Sequence, residues 1–173
     1  MKKSRSIIST FAVIVGLVAL LVGLPSASAS DRNSSSSGKW QTVTVKHAPV
    51  TPTSVQGSGI GTVRYFSIPI TVGKQQGAEW FMVGTLTTLS IDATIGKEVR
   101  SSNLNLVLGS VENQLVIGGV SYYAAAGSTL DVGSQTVRPV VGGSGKYAGA
   151  RGSVTSTNLG ADGWTHVFKI RVD

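Results

Sequence analysis

The sequence predicts an all-β protein, a closed antiparallel β-barrel of about eight strands with a central apolar pocket, preceded by an N-terminal signal peptide. Apolar and polar residues alternate in short runs, 22 glycines are spread between those runs, and no stretch after the leader has a helical period. The connections are too short to hold crossover helices, so the strands must pair antiparallel. Closure is preferred to a sandwich because it removes exposed strand edges.

The first 29 residues have the three parts of a secretory leader. A basic start precedes the apolar run Ile7–Leu24, and Pro25 then leads into the small-residue site Ala27-Ser28-Ala29. An uncleaved membrane anchor is the alternative, since the run approaches the length of a bilayer span. Pro25 and the small-residue site favour cleavage near Ala29. We therefore expect a secreted or extracytoplasmic protein, without stable membrane insertion of the mature domain.

The rest of the chain divides into a linker and one domain. Residues 30–39 are serine-rich and too polar to pack, which is typical of a flexible linker. An arm that folds over the barrel mouth is the alternative. Residues 40–173 form the predicted β-barrel domain.

Nine runs in that domain have strand patterns. Pro49 and Pro52 end the first strand, and Gly118 with Gly119 bends the fifth. Asn and Leu alternate in the fourth, so its leucines point to one side. The predicted strands are Gln41–Lys46, Ile60–Ile70, Trp80–Ile91, Asn103–Leu108, Gln114–Tyr123, Thr129–Val132, Thr136–Val141, Gly152–Thr157 and Trp164–Val172.

The last predicted strand says most about the interior. Trp164, His166 and Phe168 lie on one face, and Lys169 and Arg171 lie on the other. Because the charged face must meet solvent, His166 is predicted to point inward, between two aromatic side chains.

Charge and cysteine usage exclude some functions. The net charge is +7, but three of the fifteen basic residues lie in the leader, and twelve basic and eight acidic residues remain in the mature chain. The remaining basic residues are scattered, without the aromatic interleaving of a nucleic-acid surface, so we expect no nucleic-acid partner. With no cysteine, the fold has no disulfide and no thiolate metal site.

The segment from Val137 to Gly152 contains Val-Val-Gly-Gly-Ser-Gly-Lys-Tyr-Ala-Gly-Ala-Arg-Gly. It resembles the signature of the allene oxide cyclase and dirigent β-barrel superfamily. The motif is interpreted as structural: its glycines allow a sharp turn between strands, Tyr147 can cap the barrel end, and Arg151 can hydrogen-bond loop carbonyls.

The resemblance implies a small barrel with an apolar lumen, as in a bacterial member of the superfamily such as a polyketide cyclase. Members fold a reactive, flexible substrate into one conformation and so set its stereochemistry. A cyclase or isomerase for a hydrophobic polyene or polyketide, with a stereoselective and even Diels–Alder type cyclisation, is therefore the leading hypothesis. It needs no cofactor. Family members often pair or trimerise, which leaves a homo-oligomer open.

Such a reaction needs aromatic walls and a few hydrogen-bond donors rather than a reactive nucleophile. The candidate catalytic residues are His166, Tyr65 and Tyr122. The candidate substrate-binding residues are Trp80, Met82, Trp164 and Phe168. Each aromatic residue has an alternative role as plain core.

Other charged or ligating residues give no second site. No metal site is predicted, because His47 and His166 are the only histidines and neither has a partner at ligand spacing. Glu98 and Arg100 share a strand face and are interpreted as an exposed charged surface rather than an acid–base pair.

Two other functions remain open. The first is a non-catalytic exported barrel that carries a lipid or metabolite, which export itself favours. The second is an interaction module whose barrel is filled by its own side chains.

Overall fold

The computed structural model describes residues 38–92, 94–124 and 129–172. The predicted signal peptide and most of the predicted linker lie outside these ranges and stay predictions. Eleven strands are present: β1 (Trp40–His47), β2 (Ser54–Gln56), β3 (Val63–Pro69), β4 (Thr71–Val72), β5 (Trp80–Asp92), β6 (Lys97–Leu108), β7 (Gln114–Ile117), β8 (Val120–Ala124), β9 (Gln135–Gly143), β10 (Arg151–Asn158) and β11 (Trp164–Arg171).

All strand pairings in the described residues are antiparallel and join one sheet, in the order β2-β3-β5-β6-β7-β9-β10-β11-β1-β4, with β8 also paired to β6. The prediction of an all-β antiparallel protein is confirmed. The strand number is eleven rather than about eight. The hydrogen-bonded path ends at β2 and β4, so this sheet is not closed, and barrel closure stays a prediction.

The two ends of that path lie close together along the chain. Ile70 alone separates β3 from β4. β3 pairs with β5 over seven residues, and β4 pairs with β1 through Val72 and Thr71. Ile70 is 2 % exposed. One short stretch of chain therefore contacts both halves of the sheet.

Strand boundaries differ from the predicted ones where side-chain pattern is weak. Thr129–Val132 is not a strand, because Ser134 N–H closes a turn on the Asp131 carbonyl there. The three-residue β2 is too short to show a period. The predicted strand Gln114–Tyr123 divides into β7 and β8 at the two glycines, as the predicted bend requires.

The core lies on one face of the sheet and follows the alternation of the strands. Alternate residues of β6 are buried from Glu98 to Leu108, and the inward face predicted for β11 is confirmed for His166, Phe168 and Ile170. Packing of these rows buries the apolar surface that stabilises the fold.

The Gly-Gly-Ser-Gly motif makes the turn that the sequence predicts. Gly145 has a φ of +56°, which favours glycine, and a Cβ on Gly143 would lie 2.7 Å from the Gln114 carbonyl oxygen. Arg151 Nη1 donates to the Ala150 carbonyl at 2.7 Å. The motif is thus a structural element of the β9–β10 connection.

Helix in the described part of the chain is limited to two 3-10 turns, Gly145–Tyr147 and Gly160–Asp162. None of the helices there is long and apolar enough to cross a bilayer.

Candidate functional site

A pocket of about 330 Å³ opens on the inward face of the sheet. It combines an apolar wall with an unusual number of charged and aromatic side chains. Its lining residues are His47, Val50, Thr51, Pro52, Arg64, Phe66, Ile68, Met82, Leu86, Arg100, Leu104, Tyr123, Thr129, Arg138, Trp164 and His166.

The apolar wall comes from three neighbouring strands. Phe66 and Ile68 of β3, Met82 and Leu86 of β5, and Leu104 of β6 all face the pocket. The two residues from β3 are two positions apart and the two from β5 are four positions apart, because alternate residues of a strand point to the same side. The wall gives a ligand a continuous apolar surface.

One group of buried polar side chains, the acid-paired cluster, consists of Arg64, Thr88, Glu98 and Arg100. Arg100 contacts Glu98 Oε2 through Nε at 2.7 Å and Nη2 at 2.6 Å. Arg64 donates to Thr88 Oγ1 at 2.9 Å and reaches the same Glu98 oxygen at 3.4 Å. Thr88 also donates to Glu98 at 3.2 Å. The cluster therefore shares one carboxylate between two guanidinium groups.

Two members of this cluster, Arg64 and Arg100, line the pocket. The Arg100 guanidinium lies 4.5 Å from the ring centroid of Tyr123, a favourable cation–π geometry. Burial and the charge of Arg100 lower the pKa of Arg64, and Glu98 partly offsets this. With such a high ordinary pKa, Arg64 stays charged.

A second group, the donor cluster, consists of Ser102, Arg138, Ser156 and His166. Arg138 donates to Ser102 Oγ through Nη1 and to Ser156 Oγ through Nη2, both at 2.9 Å. His166 Nδ1 lies 2.8 Å from the same Ser156 oxygen. Ser156 pairs directly with His166 across β10 and β11, which brings their side chains together.

The protonation of His166 depends on its burial and on its hydrogen bond to Ser156. Burial first, then the charges of His47 and Arg138, lower the pKa of His166 to about 3, so its ring is neutral at neutral pH. Ser156 Oγ accepts from Arg138, and its own hydrogen can then satisfy His166 Nδ1. In the tautomer that accepts this hydrogen bond, the imidazole proton is on Nε2.

Two atoms of the donor cluster have no partner among the described residues. Arg138 Nε and His166 Nε2 are both buried without a hydrogen bond. Arg138 is 4 % exposed and His166 is 3 % exposed, and both line the pocket. Arg138 Nε is a donor, and so is His166 Nε2 in the tautomer that has its proton there, so the pocket lining has two N–H groups for an acceptor.

An aromatic stack borders the donor cluster. The rings of His47 and His166 lie 5.0 Å apart, and Trp164 stacks on His166 at 6.2 Å with an interplanar angle of 7°. His47 Nδ1 donates to the Ala48 carbonyl at 2.7 Å, so the other nitrogen of neutral His47 is an acceptor. Burial lowers the pKa of His47, and its backbone hydrogen bond partly offsets this.

Three of the seven predicted site residues line the pocket: Met82, Trp164 and His166. The other four lie elsewhere. Tyr65 is on the opposite face from Arg64 and Phe66 and donates to Gln56 at 3.2 Å. Phe168 is fully buried in the core, and Trp80 packs against that core.

Tyr122 lies on the outer face, 54 % exposed, and its neighbour Tyr123 lines the pocket instead. Leu115 and Ile117 of β7 are buried, and the same parity continues to Tyr123 in β8. Extending the face of those two apolar residues past the bend would have identified Tyr123 from sequence.

The interpretation of Glu98 and Arg100 as an exposed charged surface is wrong, since they are 5 % and 1 % exposed. They continue the inward face of Leu104 and Leu106, a signal already present in the sequence. Arg138 had no such signal, because β9 has apolar residues on both faces: Val137 and Val141 are exposed and Val140 is buried.

His47 was considered only as a metal ligand, and its stacking on His166 was not predicted. No three His, Asp or Glu side chains in the described ranges are grouped as metal ligands would be.

No family model matches the sequence, and no curated protein matches it at a significant level. The chain is similar to the solved structure of a pyocyanin demethylase, with a TM-score of 0.53 and 16 % identity over 76 % of this chain and 99 % of that one. It is also similar to a pterocarpan synthase dirigent protein, with a TM-score of 0.49 and 15 % identity over 76 % and 84 %. At 16 % identity, the likeness to the demethylase extends to the fold alone.

Proposed function

We propose that this chain binds a hydrophobic, unsaturated small molecule in the pocket and directs its stereoselective cyclisation or isomerisation without a cofactor. The observation that carries the proposal is the pocket itself, whose lining combines an apolar wall with buried side chains that have donor atoms without a partner among the described residues. An apolar cavity with a few convergent polar groups is the usual form of a small-molecule site.

The proposal includes closure of the sheet into a barrel around this pocket. Its support is the position of Ile70, the single buried residue between a strand that pairs with β5 and a strand that pairs with β1. Closure would enclose the pocket and exclude water from the reacting atoms, which strengthens each hydrogen bond to the substrate.

The mechanism uses position and polarisation. Met82 and Trp164 would hold the substrate in one folded conformation, with the reacting carbons near bonding distance. His166 Nε2–H would donate to a substrate oxygen conjugated with the reacting π-system, and the withdrawal of electron density would lower the barrier. A neutral imidazole suits this role, since it donates one hydrogen bond and gives up no proton.

A non-catalytic carrier is the second candidate, and one observation favours it. With a pKa of about 3, His166 does not exchange protons near neutral pH. That property fits a residue that binds a ligand without acid–base chemistry. The likeness in fold to a pyocyanin demethylase supports the catalytic alternative by analogy alone, as an enzyme built on a similar fold.

Export is also proposed. Its support is the leader pattern of residues 1–29, and N-terminal sequencing of the secreted protein tests it: a new N-terminus close to Ser30 is expected. Retention of Met1 would contradict export through a cleaved leader.

The function is tested by incubating the purified protein with a metabolite extract of the cells that make it, followed by mass spectrometry. A compound that changes retention time at constant mass supports the proposal. A compound that co-purifies and emerges unchanged supports the carrier. Trp164→Ala and His166→Gln should lose the conversion, and Tyr122→Ala, on the outer face, is the matched control.

A further inference from the structure

The buried charges around the pocket do not balance. Three arginines, Arg64, Arg100 and Arg138, are buried among the described residues, and Glu98 is the single buried carboxylate there. Glu98 is engaged by Arg64 and Arg100. A buried charge is normally paired, so this excess of positive charge beside a cavity requires an explanation.

Arg138 is the arginine farthest from charge balance. Its two hydrogen bonds go to the neutral hydroxyls of Ser102 and Ser156, which hold both Nη atoms and fix the guanidinium plane. Its Nε–H has no partner among the described residues. The group is therefore oriented by its neighbours and has an unused edge.

The second unpartnered donor belongs to the same cluster. His166 is joined to Arg138 through its Nδ1 and the shared Ser156 hydroxyl, and its Nε2 has no partner among the described residues. A carboxylate has two acceptor oxygens and carries the charge that Arg138 lacks, whereas a neutral carbonyl or ether supplies an acceptor without the charge.

We propose that the ligand of this pocket is an acid, with a carboxylate that accepts hydrogen bonds from Arg138 Nε and His166 Nε2 and an apolar body that lies against Phe66, Met82 and Leu104. The inference rests on the proposed function, which supplies the apolar body of the ligand. It adds that the ligand is an acid. The polarised substrate oxygen is then a carboxylate oxygen, conjugated with the unsaturated carbons.

The test compares two rigid bicyclic probes of nearly equal shape, 2-naphthoate and 2-naphthamide, by calorimetric titration of the purified protein at neutral pH. The acid should bind at least about tenfold more tightly than the amide, because hydrogen bonds to charged groups are stronger than neutral ones. Arg138→Met should abolish this preference, because the acid then loses more affinity than the amide does. Lys169→Met, an exposed site on β11, should preserve the preference.

Equal affinities for the two probes in the unmodified protein would contradict the inference that the ligand is an acid. They would leave the proposed binding of an apolar ligand in the pocket intact. A preference that survives in Arg138→Met would also overturn the assignment, because the carboxylate would then be held elsewhere. Failure of both probes to bind would overturn this inference together with the proposed function. The comparison in the unmodified protein requires no variant to fold.

Discussion

The acid-paired cluster and the donor cluster meet on β6, where Arg100 belongs to one and Ser102 to the other. The first contains two arginines, a threonine and one carboxylate, and its two arginines form ion pairs with that carboxylate. The second contains an arginine, two hydroxyls and a neutral imidazole, and the hydrogen bonds that join its members within the described ranges include no carboxylate. The difference suggests that the acid-paired cluster stabilises the fold and the donor cluster binds a ligand.

The largest expected effect follows from removing Glu98, the one buried carboxylate in the part of the chain that the structure describes. Glu98→Gln removes the carboxylate that pairs with the buried Arg64 and Arg100 guanidinium groups, and breaking a buried pair in this way costs about 3–5 kcal/mol of unfolding free energy. Denaturant unfolding measures it. Glu79→Gln, at an exposed turn, is the control and should change nothing. Equal stability in the two variants would mean that the acid-paired cluster does not stabilise the fold.

The second effect is a pH dependence that belongs to the donor cluster. The pKa of His166 is lowered from 6.5 to about 3 in the folded state, so below pH 6.5 the unfolded chain takes up a proton that the folded chain does not. Stability is therefore lost as the pH falls from about 6.5 towards 3.

Between pH 8 and pH 5 this loss should reach about 2 kcal/mol. Unfolding of the unmodified protein and of His166→Gln at both pH values isolates it, because His47 titrates in both. An identical pH dependence in the two proteins would show that His166 is not the group responsible.

The third effect separates the two serines of the donor cluster. Ser156→Ala removes a hydroxyl with two partners, Arg138 and His166, and should cost about 2 kcal/mol of stability. Ser102→Ala removes a hydroxyl with one cluster partner and should cost about 1 kcal/mol. Thermal unfolding of the two variants compares them, and a greater loss in Ser102→Ala would contradict the shared role of Ser156.

The smallest effect on stability is expected for Arg138, whose hydrogen bonds go to two neutral hydroxyls. Arg138→Met removes an unbalanced buried cation, so the unfolding free energy should change by less than about 1 kcal/mol, while ligand preference is lost. Arg100→Met removes the nearer of the two guanidinium groups that pair with Glu98 and should be clearly destabilising. A loss in Arg138→Met as large as that in Arg100→Met would show that both clusters are structural.

Part of the candidate site was predictable from sequence. The inward direction of His166 follows from the charged opposite face of β11, and Trp164 follows from the same alternation. The positions of Glu98 and Arg100 were equally predictable, had the alternation of the leucines in β6 been continued towards its start. In this part of β6, the alternation of side chains predicts burial correctly, and the charge of the two residues does not.

Arg138, Ser102 and Ser156 could not be assembled in this way. They belong to three strands, and what joins them is the antiparallel order β6-β7-β9-β10-β11. The same holds for His47 and His166, 119 positions apart, whose rings stack because β1 pairs with β11 so that His47 faces Trp164 and Val45 faces His166.

By itself the sequence determined the strand-rich class, the turn at the Gly-Gly-Ser-Gly motif and the inward face of the last strand, because these depend on neighbours along the chain. Tertiary structure alone decided which buried charges are balanced. A guanidinium and its carboxylate are brought together by strand order and register, and neither is encoded in the local alternation of side chains.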